Sequence, residues 1–301
     1  MILIIPMAIA CFFLIFLCTV SSAEGGNAGT DKQIGTVRTD AFSMDYLRFG
    51  HGEKTFVILP GISIGSIMQY ADAVTGAYSL LADDYTIYLF DRRNELPEHY
   101  SVYDMALDTA AAIRALGLEK VHLFGASMGG MTAMTLAINE PELVSKLVIG
   151  SSAASMGDER YQAIEKWIEL AKAGDAEALY LAFGEAIYPQ KVFEPARDLL
   201  IQSAKGVTEE DLAKFIILAE GIRGFDVTDR LKEIACPTLV IGSEDDQVLG
   251  AEASEQIREQ LKDRPDCELY MYDGYGHAAY DLAPDYKERV FRFLTGEKTA
   301  R

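Results

Sequence analysis

Short runs of apolar residues recur along this chain between longer amphipathic segments, and that rhythm predicts most of the architecture. Phe56, Val57, Ile58 and Leu59 form a fully apolar strand that ends at Pro60 and Gly61. A possible strand over 42–49 precedes it, joined through the turn Gly50, His51, Gly52. The pattern then predicts a helix over roughly 66–81 and a strand over 85–90, YTIYLF, closed by Asp91, Arg92 and Arg93. Alanine-rich 103–116 reads as a helix stopped by Gly117. Val121 to Phe124 is the next strand; a helix beginning MTAMTLAI follows it, and Lys146 to Ile149 is strand again. Continuously apolar strands alternating with helices imply an α/β fold whose mostly parallel central sheet is covered on both faces.

From Ser155 to Gly224 the rhythm breaks, leaving only helical patches such as ERYQAIEKWIELAKAG and EEDLAKFIILAEGI. An insertion after a strand end belongs over the carboxyl edge of the sheet, where open α/β sheets bind ligands. Trp167, Tyr180, Phe183, Tyr188 and Phe215 suit either a pocket lining or a contact between this lid and the body. Strands resume at 237–241 and 268–272, with helices over 253–261 and 286–294. The expected organisation is a linker over 24–41, core segments over 42–154 and 225–296, a helical lid over 155–224 and a tail over 297–301.

Residues 1–23 stand apart from this pattern. Ile2 to Val20 is almost continuously apolar, and Ser21, Ser22 and Ala23 suit a signal peptidase that would leave Glu24 first. No Lys or Arg precedes Lys32, and the apolar run approaches the length that spans a bilayer, so a retained membrane anchor is the competing expectation. Either reading puts the folded part outside the cytoplasm, secreted or tethered to a membrane by residues 2–20. Of the cysteines, Cys11 and Cys18 fall in this leader, while Cys236 and Cys267 each precede a predicted strand. Leu17 before Cys18 is a poor fit to a lipoprotein site.

A chain of 301 residues with 50% hydrophobic residues can bury one large core carrying an inserted subdomain. Its formal net charge of −19 argues against a nucleic-acid partner, whose backbone demands basic surface. No metal-ligand spacing, dinucleotide fingerprint or phosphate-binding loop is present, so no cofactor and no metal is implied.

The chemistry centres on VHLFGASMGG at 121–130. Gly125, Ala126, Ser127, Met128 and Gly129 form a G-x-S-x-G pentad between a strand and a helix, the context in which that motif places a serine at the point of a sharp turn. The glycines are needed because side chains two before and two after the serine would collide across the turn. The free N–H of Met128 at the helix start can help hold a negative oxygen. A serine hydroxyl needs a base, and the base needs a carboxylate. Of the four histidines, His51 falls in an early turn, His99 in a polar loop and His122 inside the nucleophile strand. His277 lies in DGYGHAAY, directly after the last strand and at the serine's edge of the sheet. The acid is sought in the run Glu244, Asp245, Asp246 at another strand end, with Asp245 the first choice and Asp246 the second. A second amide for the oxyanion is expected from Ile62, after Pro60 and Gly61, with Ser63 or Ile64 as substitutes.

The order Ser127, Asp245, His277, with a helical insertion between the last two core segments, resembles the α/β-hydrolase fold over roughly 42–294. The resemblance implies a two-amide oxyanion hole from Met128 and Ile62. It also implies a triad acid three positions after the strand glycine Gly242, which is Asp245. Relatives often carry His-Gly where this chain has Pro60 and Gly61. The implied activity is that of an esterase-like serine hydrolase, cleaving a small-molecule carboxylic ester or related acyl compound through an acyl-enzyme. An aminopeptidase of the proline-iminopeptidase kind is the alternative, and it would need lid acids such as Glu165, Glu169, Glu177, Glu185 or Glu194 to bind an ammonium group. A non-catalytic binding protein of the same fold would be expected to lack a triad member.

Overall fold

A computed structural model of the chain describes residues 32–296. The leader expected over 1–23 lies outside the described residues, as does the tail over 297–301. No helix among the described residues is long and apolar enough to cross a membrane.

Eight strands form one sheet: β1 (Gln33–Arg38), β2 (Ser43–Phe49), β3 (Lys54–Leu59), β4 (Tyr85–Arg93), β5 (Val121–Ala126), β6 (Val144–Gly150), β7 (Thr238–Ser243) and β8 (Cys267–Tyr272), in the spatial order β1-β2-β4-β3-β5-β6-β7-β8. The β1–β2 and β2–β4 pairs are antiparallel, and β3 to β8 run parallel. Period-two alternation distributes the apolar side chains over both faces. Val57 and Leu59 of β3, Leu123 of β5 and Leu147 and Ile149 of β6 enter one core. Phe56, Ile58, Phe124 and Val148 enter the other. With both faces buried, the central strands are held by packing as well as by the ladder.

The helices are α1 (Ala71–Ala77), α2 (Val102–Ala115), α3 (Met128–Asn139), α4 (Asp158–Lys172), α5 (Ala176–Ile187), α6 (Gln190–Ala204), α7 (Glu209–Glu220), α8 (Ala251–Gln260), α9 (Ala279–Leu282) and α10 (Tyr286–Thr295). Helices α4 to α7 are the inserted block. Its two ends meet where Ser155 bridges Asp226 antiparallel, with Met156 N–H donating to the Phe225 carbonyl at 2.7 Å and Val227 N–H to that of Ala154 at 2.8 Å. This clasp ties lid to body beside the end of β6.

Two expectations are corrected. Residues 33–38 belong to a strand rather than to the linker, because β1 pairs with β2 along its whole length. Its sequence buries only Val37 and leaves Ile34 55% exposed, so it carries no inward apolar pattern to read. The single helix expected over 66–81 is three short pieces, a 3-10 turn at Ile67–Tyr70, α1, and another 3-10 turn at Ser79–Leu81. Cys236 and Cys267 are both buried, free thiols, and their strands are neighbours.

The chain visits β3, then β4 on one side, then β5 on the other. A crevice opens at such a reversal, above the carboxyl ends of β3 and β5. Ser127 and the loop of Pro60 to Ile62 stand there.

Candidate active site

Ser127 adopts φ 53° and ψ −121°, a strained backbone for a residue with a Cβ. Local sterics explain its neighbours. A Cβ on Gly125 would lie 2.2 Å from the Gly129 carbonyl oxygen, and one on Gly129 would lie 2.1 Å from that of Leu59. Both glycines are required for the turn to close against β3. The strain is held by hydrogen bonds: Ser127 N–H donates to the Gly150 carbonyl at 2.9 Å, and the Ser127 carbonyl accepts from Gly130 N–H at 2.8 Å and from Ser152 Oγ at 2.7 Å. Ser152 is a contributor that the sequence pattern does not reveal.

The loop of Pro60 to Ile62 lies directly on the serine. A Cβ at Gly61 would approach Ser127 Cβ to 3.2 Å. Met128 opens α3, so no preceding turn accepts its N–H, and Ile62 follows Gly61 on the wall of the cavity that contains Ser127. Arg92, read in the sequence only as the close of a strand, pins this loop through a 2.7 Å bond from Nη2 to the Pro60 carbonyl. Asp91 fastens the next residues, accepting from the Ser66 hydroxyl and, at 3.1 Å, from Ile67 N–H. Burial lowers the Arg92 pKa, against the pull of Tyr100 and Asp91.

His277 is buried, and its Nδ1 lies 2.8 Å from Oδ2 of Asp246. The expected pairing of Asp245 with His277 is therefore replaced by Asp246. The reason is local. β7 stays paired with β8 as far as Ser243, with Glu244 N–H donating to the Tyr272 carbonyl at 2.8 Å, and beyond it the two aspartates take different partners. Asp245 turns back toward the sheet edge, where Oδ1 accepts from Ser243 Oγ at 2.8 Å and from Gly274 N–H at 3.1 Å. Asp246 turns inward, and its Oδ1 also accepts from Val248 N–H at 2.9 Å and Leu249 N–H at 3.0 Å. Burial by itself would raise the Asp246 carboxyl, but His277 and the two amides outweigh it and hold the group below its ordinary range.

Ser127, His277, Gly61 and Ile62 line one small cavity of about 30 Å³, closed by Met131, Ile164, Trp167, Phe183, Ile187, Ile222 and the Val248–Leu249 turn. Trp167 and Phe183 of the lid thus reach the site, their ring centroids 4.6 Å apart. Phe215 is buried behind Phe183, and Tyr180 and Tyr188 are buried as well. The lid also holds the histidine loop, since Ala278 N–H donates to the Ile187 carbonyl at 3.1 Å. None of Glu165, Glu169, Glu177, Glu185 and Glu194 lines this cavity; Glu165 faces outward, paired with Arg223 at 2.7 Å. The other histidines are elsewhere: His51 is exposed near Asp83, and His122 Nδ1 lies 3.0 Å from the Tyr85 hydroxyl. Among the described residues, no three His, Cys, Asp or Glu side chains gather as a metal ion would require.

A family model described as the alpha/beta hydrolase family matches residues 56–291. The chain belongs to the α/β-hydrolase family. Within that family it is 27% identical over 257 residues to the provisionally named carbamate hydrolase RutD of Rhizobium rhizogenes, covering 82% of this chain and 95% of the relative. Among solved structures, the α/β hydrolase MGS-M2 from a Medee basin deep-sea metagenome library superposes with a TM-score of 0.78 at 22% identity, covering 89% of this chain and 99% of that one. The enol-lactonase of Burkholderia xenovorans gives 0.73 at 17% identity, with 87% and 100% covered. This α/β-hydrolase therefore has the central mostly parallel sheet of its family, with α4 to α7 in the place of the lid.

Proposed function

We propose that this α/β-hydrolase is a serine hydrolase of small acyl compounds, carboxylic esters and carbamates, working through an acyl-enzyme on Ser127. The observation that carries the reading is the bond of Asp246 to Nδ1 of His277 in a loop whose histidine lines the same cavity as the strained Ser127. With Nδ1 engaged by the carboxylate, Nε2 is the nitrogen left to take the Ser127 proton. The hydroxyl oxygen then attacks the carbonyl carbon, and the oxygen that becomes negative is held by the N–H groups of Met128 and Ile62. Collapse expels the leaving group, which receives the proton from His277, and water repeats the sequence to release the acid and restore Ser127.

The small, mostly apolar cavity favours a short acyl part. Carbamates enter the class through the relative named for that activity, and esters through the chemistry that a serine and two amides perform on any acyl carbonyl. The aminopeptidase alternative relied on lid glutamates, and none of them lines the site.

Fluorophosphonate labelling tests the reading. The wild-type chain should be modified on Ser127 at neutral pH, and Ser127→Ala should lose both labelling and turnover of p-nitrophenyl esters. Undiminished turnover by the alanine variant would remove Ser127 from the reaction.

A further inference from the structure

A second cavity, of about 40 Å³, adjoins the first at the oxyanion loop; Gly61, Ile62, Phe183, Ile187 and Tyr280 belong to the walls of both. Most of its remaining wall is apolar, with Ile58, Ile67, Phe124 and Ala126 from the sheet side, and it is roofed by Phe183, Ile187 and Tyr188 of the lid. Against this lining stands the carboxyl of Asp281, on α9 just beyond His277. The residue is part-buried, and among the described residues no hydrogen bond or ion pair is made by that carboxyl. The basic group that acts on it, Lys287, gives its ammonium to the Tyr280 carbonyl instead. Burial drives the Asp281 carboxyl up to about 7, with Lys287 pulling the other way.

A carboxyl set among apolar side chains with no protein donor is poorly matched to its surroundings, and one on the wall of a cavity that adjoins the active site is placed to meet a ligand's donors. The space beside Asp281 is too small for a bulky group and is covered by the lid, so it suits a short arm that stays with the enzyme while the leaving group departs. Resting on the serine-hydrolase reading, we infer that Asp281 is a specificity-determining residue that binds an amino group on the acyl part of the substrate. The preferred substrates are then short acyl compounds bearing an amine, rather than their purely aliphatic counterparts. The ammonium supplies the donors that Asp281 lacks, and the apolar wall accepts the connecting methylenes.

The test compares p-nitrophenyl β-alaninate with p-nitrophenyl butyrate, in which a methyl replaces the ammonium at the same chain length. The wild-type chain should favour the β-alaninate in kcat/KM by about tenfold or more, the discrimination expected when a charged hydrogen bond is made or lost. Asp281→Leu should reverse the preference, while turnover of the butyrate and fluorophosphonate labelling of Ser127 persist. Asp281→Asn, which keeps the shape and one acceptor, should fall between them and carries the comparison if the leucine variant does not fold. A wild-type chain with no preference, or a preference that survives both substitutions, overturns the inference. Full turnover of both esters by Ser127→Ala would overturn it differently, by removing the serine mechanism on which it rests.

Discussion

The Asp246 carboxylate faces Nδ1 of His277 at 2.8 Å, both side chains being 3% exposed, while the adjacent Asp245 is spent on Ser243 and the backbone of Gly274. Asp246→Asn should leave the chain folded and lower kcat by about 10⁴, the size of the effect when a histidine is presented with an amide and takes the wrong tautomer. Asp245→Asn should change kcat far less, its effect being confined to the loop joining β8 to His277. Steady-state kinetics on the two variants distinguish them, and a larger loss at Asp245 would return the acid to that position.

Arg92 touches no reacting atom, but its bond to the Pro60 carbonyl sets where Gly61 and Ile62 stand over Ser127. Arg92→Met should therefore reduce kcat by about 10²-fold with a small change in KM, because a displacement near 1 Å of a positioned donor carries that cost. Arg92→Lys should recover part of the loss if its ammonium reaches the same carbonyl. A fall in KM affinity with kcat unchanged would assign Arg92 to substrate binding instead.

Asp281 gives the folded chain a distinct response to pH. Its carboxyl is raised by burial from the ordinary 3.8 to about 7, so between those values the folded state retains a proton that the unfolded chain has released. Stability from this group is full below the lower value and declines as pH rises toward the upper one. Burial raises it and Lys287 lowers it, while the nearby phenols of Tyr280 and Tyr286, themselves pushed far above this range, stay neutral throughout. Denaturant melts of wild type and Asp281→Asn from pH 4 to 8 should show the gap between them widening with pH in favour of the asparagine variant. A constant gap would mean that the carboxyl is already ionised at pH 4.

The sequence by itself determined the setting of Ser127. An apolar strand, a pentad whose glycines allow the turn to close, and a helix behind it are fixed by interactions among residues close in the chain, and Ser127 with Met128 follows from them. The apolar runs at 56–59, 121–124 and 146–149 likewise declare a sheet buried on both faces, since only such a sheet hides continuous apolar strands. The helical block over 158–220 was legible because the strand pattern stops there. His277 was separable from the other histidines by its place after the last strand. What lay beyond reach depended on distant partners. Strand β1 is ordered by its pairing with β2, which no local pattern encodes. The choice of Asp246 over Asp245 turned on partners distant or unmarked in the sequence: Ser243 and Gly274 take Asp245, while His277 and the amides of Val248 and Leu249 take Asp246. Arg92 beside the Pro60 to Ile62 loop and Asp281 beside the second cavity are unremarkable in the sequence, an arginine at the end of a strand and an aspartate in a short helix. Only the folded chain sets one against the Pro60 carbonyl and the other on the wall of an apolar cavity, because burial and hydrogen-bond partnership are properties of the packed interior.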